Sequence, residues 1–199
     1  TTPGNYRLTV RGGGEASLRG SYRLEVRVKE AATPEDKKRI TAEALMIESI
    51  ELARQQAKTA PQVIEKSEQS LRLWQELGEP SMAALSLSRI ATAYEDQGQY
   101  QRAIEYHEQT LTINREAKNR VEEAGTLYSL GRSYGRLGQY EKAIQFMEQA
   151  TAIYREVDNR AGLGRALGGV GVAYLFQGRY EKGIEYLEQA LPIYREMKD

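Results

Sequence analysis

Residues 121–160 read VEEAGTLYSLGRSYGRLGQYEKAIQFMEQATAIYREVDNR, and the stretches on either side repeat this pattern at an offset of 40. Tyr94, Tyr134 and Tyr174 fall in register, as do Gly98, Gly138 and Gly178, then Ile104, Ile144 and Ile184, then Ile113, Ile153 and Ile193. The pairs Arg115-Glu116, Arg155-Glu156 and Arg195-Glu196 follow the same offset. A fixed period of roughly 20–50 residues marks a stacked array of small units. Within 121–160 the apolar spacing is helical rather than alternating. Leu127, Leu130, Tyr134 and Leu137 form one stripe, and Tyr140, Ala143, Ile144, Met147, Ala150 and Ile153 form a second. Gly138 lies between them, supplying the left-handed conformation that ends a helix. Each unit therefore reads as a helix hairpin, helix A near 121–137 and helix B near 140–157. Ala103, Ala143 and Gly183 recur where helix B crosses helix A closely, and Tyr100, Tyr140 and Tyr180 recur beside the turn.

These positions resemble the tetratricopeptide repeat (TPR). Leu127, Leu130, Gly131, Tyr134, Gly138, Tyr140, Ala143 and Ala150 stand where its signature has large apolar, apolar, small, Tyr, Gly, Tyr, Ala and Ala. The resemblance covers 81–199, as full units 81–120, 121–160 and 161–199. The common repeat has about 34 residues and a proline after helix B. These units have 40 residues and lack that proline, which resembles the repeats of kinesin light chains and of bacterial multi-repeat proteins. The fold so implied is an all-α, right-handed solenoid of antiparallel hairpins.

Upstream, 34–80 reads as a degenerate first unit. Thr33 is placed to cap a helix opened by Pro34, which Ile40, Ala44, Ile47, Ile50 and Leu52 carry towards residue 58. A second helix starts at Pro61 and ends at Gly78-Glu79-Pro80. Residues 1–30 differ in kind: Tyr6, Leu8 and Val10, then Tyr22, Leu24, Val26 and Val28, alternate with polar residues as strands do. Paired strands ahead of long TPR units resemble the region preceding a CHAT (caspase-like) domain in bacterial proteins. A chain that begins Thr1-Thr2-Pro3-Gly4 is expected to be a piece of a longer protein.

Composition narrows the function. Lys+Arg and Asp+Glu number 28 each, so there is no net positive field for nucleic acid. Without cysteine there is no disulfide, thiolate nucleophile or Cys-ligated zinc. No apolar run approaches the roughly 20 residues of a membrane span. No catalytic residue, metal or cofactor is expected, and a cytoplasmic location is. His107, the single histidine, stands mid-helix where later units have Met147 and Leu187, and reads as packed between helices. The run from Gly162 to Gly171 misses the spacing of a phosphate loop and lies inside helix A. It reads as close packing, with close backbone approach by a ligand as the alternative. Glu141-Lys142 and Glu181-Lys182 read as ordinary solvated faces. Pro192, inside the last helix B, predicts a bend or loosened turn near 188–192.

In TPR arrays helix A lines the groove, and the resemblance assigns inward positions. They are Thr92, Glu95 and Asp96 in the first full unit, Arg132, Gly135 and Arg136 in the second with Tyr128 a turn earlier, and Arg165, Val172, Leu175 and Phe176 in the third. The expected function is a protein-interaction scaffold holding a peptide or neighbouring domain, with an acidic segment suiting the arginines. The alternatives left open are self-association as a homodimer, a spacer in a larger bacterial protein of CHAT peptidase type and, last, an intrinsic enzyme activity.

Overall fold

A computed structural model describes residues 33–54 and 59–197, and the two strands expected within 1–30 lie outside them. The described residues form eight α-helices: α1 (Pro34–Ala53), α2 (Ala60–Glu76), α3 (Pro80–Asp96), α4 (Tyr100–Glu116), α5 (Arg120–Arg136), α6 (Tyr140–Glu156), α7 (Arg160–Phe176) and α8 (Tyr180–Glu196). Each packs on the next in chain order, the arrangement of a helical solenoid. From α3 onward every helix has 17 residues, so the 40-residue period is two helices and two short turns.

The helix ends follow from local chemistry. Thr33 and Asp36 cap α1 reciprocally, Asp36 N–H donating to Thr33 Oγ1 at 3.1 Å and Thr33 N–H to Asp36 Oδ2 at 3.0 Å. Inside each hairpin the turn glycine is left-handed, with φ of +71° at Gly98, +74° at Gly138 and +75° at Gly178. The amide after it reaches back to a tyrosine carbonyl, Gln139 N to Tyr134 O at 3.0 Å, closing a Schellman motif. Between hairpins Lys118 and Asp158 hold the same left-handed place, both with φ of +53°. The asparagine that follows then caps the next helix, Asn159 Oδ1 accepting from Gly162 N–H at 2.8 Å.

From α4 to α8 the core is a continuous seam. Ile104, Leu127, Leu130, Ile144, Met147, Leu167 and Val170 are all buried. A smaller cluster around Trp74, with Ala42 and Ala83, seats α1 and α2. Each full hairpin also stacks the register tyrosine of helix A on an aromatic of helix B. The pairs are Tyr94 on Tyr106, Tyr134 on Phe146 and Tyr174 on Tyr186, at centroid separations of 5.5, 5.3 and 5.5 Å. A stacked pair contributes about 0.5–1.5 kcal/mol beyond its area. Each tyrosine ring also carries a cation: Arg102 over Tyr94 at 5.5 Å, Lys142 over Tyr134 at 5.0 Å, and Arg179 and Lys182 over Tyr174 at 4.8 and 5.7 Å. Lys142 and Lys182 are thus not merely solvated, as their sequence setting suggests; each lies over a ring that is itself buried in its hairpin.

The glycines of α7 are contact points. A Cβ on Gly162 would overlap the Tyr154 ring. On Gly169 it would stand 2.6 Å from Met147 Sδ, and on Gly171 2.9 Å from the Gly183 carbonyl. Close packing is what the run serves. Pro192 does not interrupt α8, which continues to Glu196, the register mate of Glu116 and Glu156. One missing amide is tolerated because Ala190 and Ile193, on either side of it, are buried against the stack.

Candidate functional site

The residues expected to face a groove separate into three sets. Thr92 and Asp96 line a cavity of about 240 Å³ with Arg89, Val63 and Ala60, bounded by α2 and α3. Tyr128, Arg132, Arg136, Arg165, Val172 and Phe176 come together around a larger cavity of about 560 Å³ between α5 and α7. Glu95 and Leu175 line neither. Leu175 packs inside the last hairpin, its Cγ 2.8 Å from where a Cβ on Gly183 would stand.

Glu95 is the informative departure. Its side chain is only 7% exposed, enclosed by α3, α4 and α5. Ser133 Oγ donates to its Oε1 at 2.6 Å, the Arg132 guanidinium donates to its Oε2, and His107 Nε2 lies 3.5 Å from Oε1. Burial pushes the Glu95 carboxyl upward, but His107, Ser133 and Arg132 together outweigh it and hold the group below the ordinary carboxylate range. The cluster is not a catalytic triad: the serine bonds the carboxylate rather than the imidazole. His107 is packed between helices as its setting predicts, though beside a buried acid that sequence reasoning missed. The signal was available in the repeats. Glu95 and His107 replace Gly135 and Met147 in one unit and Leu175 and Leu187 in the next, a polar pair exchanged for apolar ones.

The larger cavity owes its depth to small residues. Gly135, Ala143, Gly168, Gly169 and Ala173 form its floor, with Met147 beneath. Aromatic rings stand around it: Tyr128, Tyr140 stacked on Phe176 at 5.4 Å, and Tyr194 of α8. Phe176 is 67% exposed, an unusual state for a ring that large. The three arginines are not equivalent. Arg132 is neutralised by Glu95, whereas Arg136 and Arg165 form no ion pair among the described residues. Arg165 gives only its Nε, weakly, to Ala161 O at 3.4 Å. Burial raises the phenol pKa values of Tyr154 and Tyr194, and the nearby Arg165 charge partly offsets both shifts. The site is therefore a shallow aromatic trough with an unneutralised cation from each wall.

Family models described as tetratricopeptide repeat match residues 86–121 and 122–196, together more than half of the chain. The chain belongs to the tetratricopeptide-repeat family. No curated protein matches it in sequence. Among solved structures, this TPR array is similar to RapI in its apo form, at 20% identity and a TM-score of 0.75 over 80% of this chain and 58% of that one. It is similar to a Podosopora anserina putative kinesin light chain with nearly identical TPR-like repeats, at 21% identity and a TM-score of 0.63 over 83% and 78%. A Rap protein complexed with Competence and Sporulation Factor matches at 17% identity and a TM-score of 0.70 over 85% and 45%. At these identities the likeness is one of fold. The chain spans less than two thirds of either Rap protein. Among the described residues no helix is long and apolar enough to cross a membrane.

Proposed function

We propose that this TPR array is a non-catalytic scaffold that binds an acidic protein or peptide segment in the trough between α5 and α7. The observation that carries the reading is the pair of unneutralised guanidiniums, Arg136 and Arg165, on a cavity edged by the exposed Phe176 ring. A guanidinium on a rigid helix suits bidentate capture of a carboxylate, and an exposed ring beside it suits an apolar anchor. A Rap protein of the same fold, seen in complex with Competence and Sporulation Factor, lends the reading support by analogy. The non-catalytic reading draws on the Glu95 cluster, where the histidine is sealed at 2% exposure and the serine is bonded to the acid. A display library of random peptides, selected on the wild-type chain, tests the proposal. Selected peptides should be rich in acidic and apolar residues and should lose binding to the double variant Arg136→Glu/Arg165→Glu. Peptides indifferent to that variant and to Phe176→Ala would move the working surface elsewhere.

A second reading, self-association, is favoured by one face of α8. Ile184 and Leu191 are 52% and 46% exposed, whereas their register mates Ile144 and Thr151 on α6 are 6% and 4% exposed beneath α7. A mass by light scattering that halves in Ile184→Glu/Leu191→Glu would support it, and a monomeric wild type would dismiss it.

A further inference from the structure

The position of the two free arginines specifies a ligand pattern, an inference that rests on the trough being the binding surface. The helices α5 and α7 run in the same direction, each antiparallel to α6 between them, and they touch each other directly. Their bounds differ by one 40-residue period, so Arg136 at the end of α5 lies level with Phe176 at the end of α7. Arg165 lies eleven residues before Phe176 on α7. At 1.5 Å of rise per residue, the two cations are separated by roughly 16 Å along the trough. Arg132 lies between those levels, but Glu95 has already claimed it, so the middle of the trough presents no net cation. What lies there is Tyr128, Val172 and the Gly168-Gly169 floor.

An extended chain advances about 3.3 Å per residue, so roughly 16 Å corresponds to about five residues. We propose that the trough takes an extended peptide with two carboxylate side chains about five residues apart and an apolar residue between them. One carboxylate sits on Arg136 beside the Phe176–Tyr140 stack, the other on Arg165 beside Tyr194. The apolar residue rests on Val172 and the glycine floor. A helical ligand would need its two carboxylates about eleven residues apart, because five residues of helix advance only about 7.5 Å.

Two fluorescein-labelled, C-terminally amidated hexapeptides of equal charge and composition separate pattern from bulk attraction: Asp-Ala-Phe-Ala-Ala-Asp and Asp-Asp-Ala-Phe-Ala-Ala. Fluorescence polarisation at low salt should show the spaced peptide binding at least about tenfold tighter, the worth of one charged hydrogen bond. That advantage should shrink to within about twofold in Arg136→Gln and, separately, in Arg165→Gln. Circular dichroism and thermal melts of both variants check that the fold is kept, as two exposed side chains without ion-pair partners among the described residues allow. Equal binding of the two peptides, or binding of neither, overturns the spacing. Should display-selected peptides still depend on Arg136 and Arg165, the scaffold reading stands without it; should they not, both fall.

Discussion

Two glycines inside helices show how position, rather than residue type, sets the sign of a substitution. Glycine costs a helix interior about 1 kcal/mol relative to alanine. At Gly135 an added Cβ would meet only Ala143 Cβ, at 3.7 Å, an ordinary contact. Gly135→Ala is therefore expected to stabilise the array by about 0.5–1 kcal/mol, read as a raised denaturation midpoint. At Gly162 the same methyl would overlap the buried ring of Tyr154, which is 5% exposed and has little room to move. Gly162→Ala should destabilise by about 1–3 kcal/mol, the overpacking cost exceeding the gain in propensity. If both changes moved the midpoint in the same direction, the packing account of the α7 glycines would be wrong.

Helices α3, α4 and α5 meet at Glu95, where a buried carboxylate does what apolar packing does in later units. Its pKa is depressed in the folded chain, so the group takes up its proton more readily once unfolded. Its contribution is complete above the unfolded carboxylate range and is lost as pH falls through the lower native value. Glu95→Gln should cost about 1.5–3 kcal/mol at neutral pH, the worth of charge-assisted hydrogen bonds. The stability gap between wild type and Glu95→Gln should close on acidification, which denaturant titrations at several pH values would show. Arg132→Glu places a second carboxylate against Glu95 and should likewise destabilise this junction, whereas Arg136→Glu should not. The sequence signature places Arg132 and Arg136 alike in the groove. It gives positions on a helix but not partners, and the trace of a three-helix junction joining residues 95, 107 and 132 lies only in the comparison of units, where Glu95 and His107 depart together from their register mates. The hairpin boundaries of the full repeats, by contrast, were legible to within a residue or so, whereas α1, expected to run towards residue 58, ends at Ala53. Gly138 and Asn119 are fixed by backbone geometry that depends only on neighbours. The cations over Tyr94, Tyr134 and Tyr174 escaped notice because Lys142 and Lys182 sit beside acidic residues and look solvated.

A linear array holds each hairpin only through its neighbours, so the same residue contributes differently according to its place in the stack. Ile104, Ile144 and Ile184 occupy one register position on α4, α6 and α8. The first two are 1% and 6% exposed, covered by the following helix, and the third is 52% exposed. Ile→Ala at 104 or 144 removes buried methyl groups and leaves a cavity, for an expected loss of about 2–4 kcal/mol. At 184 the side chain is largely in water already, and the loss should stay below about 1 kcal/mol. Chemical denaturation of the three variants at a fixed, dilute concentration gives the comparison. Concentration then distinguishes the isolated array from a self-associated one, because anything that binds only the folded state makes stability concentration-dependent. If a second copy covers α8, Ile184→Ala should become costlier as the chain is concentrated, while Ile104→Ala and Ile144→Ala keep their values. A cost at 184 equal to that at 144 even at high dilution would mean that the α8 face is covered within the chain itself, contrary to the packing described here.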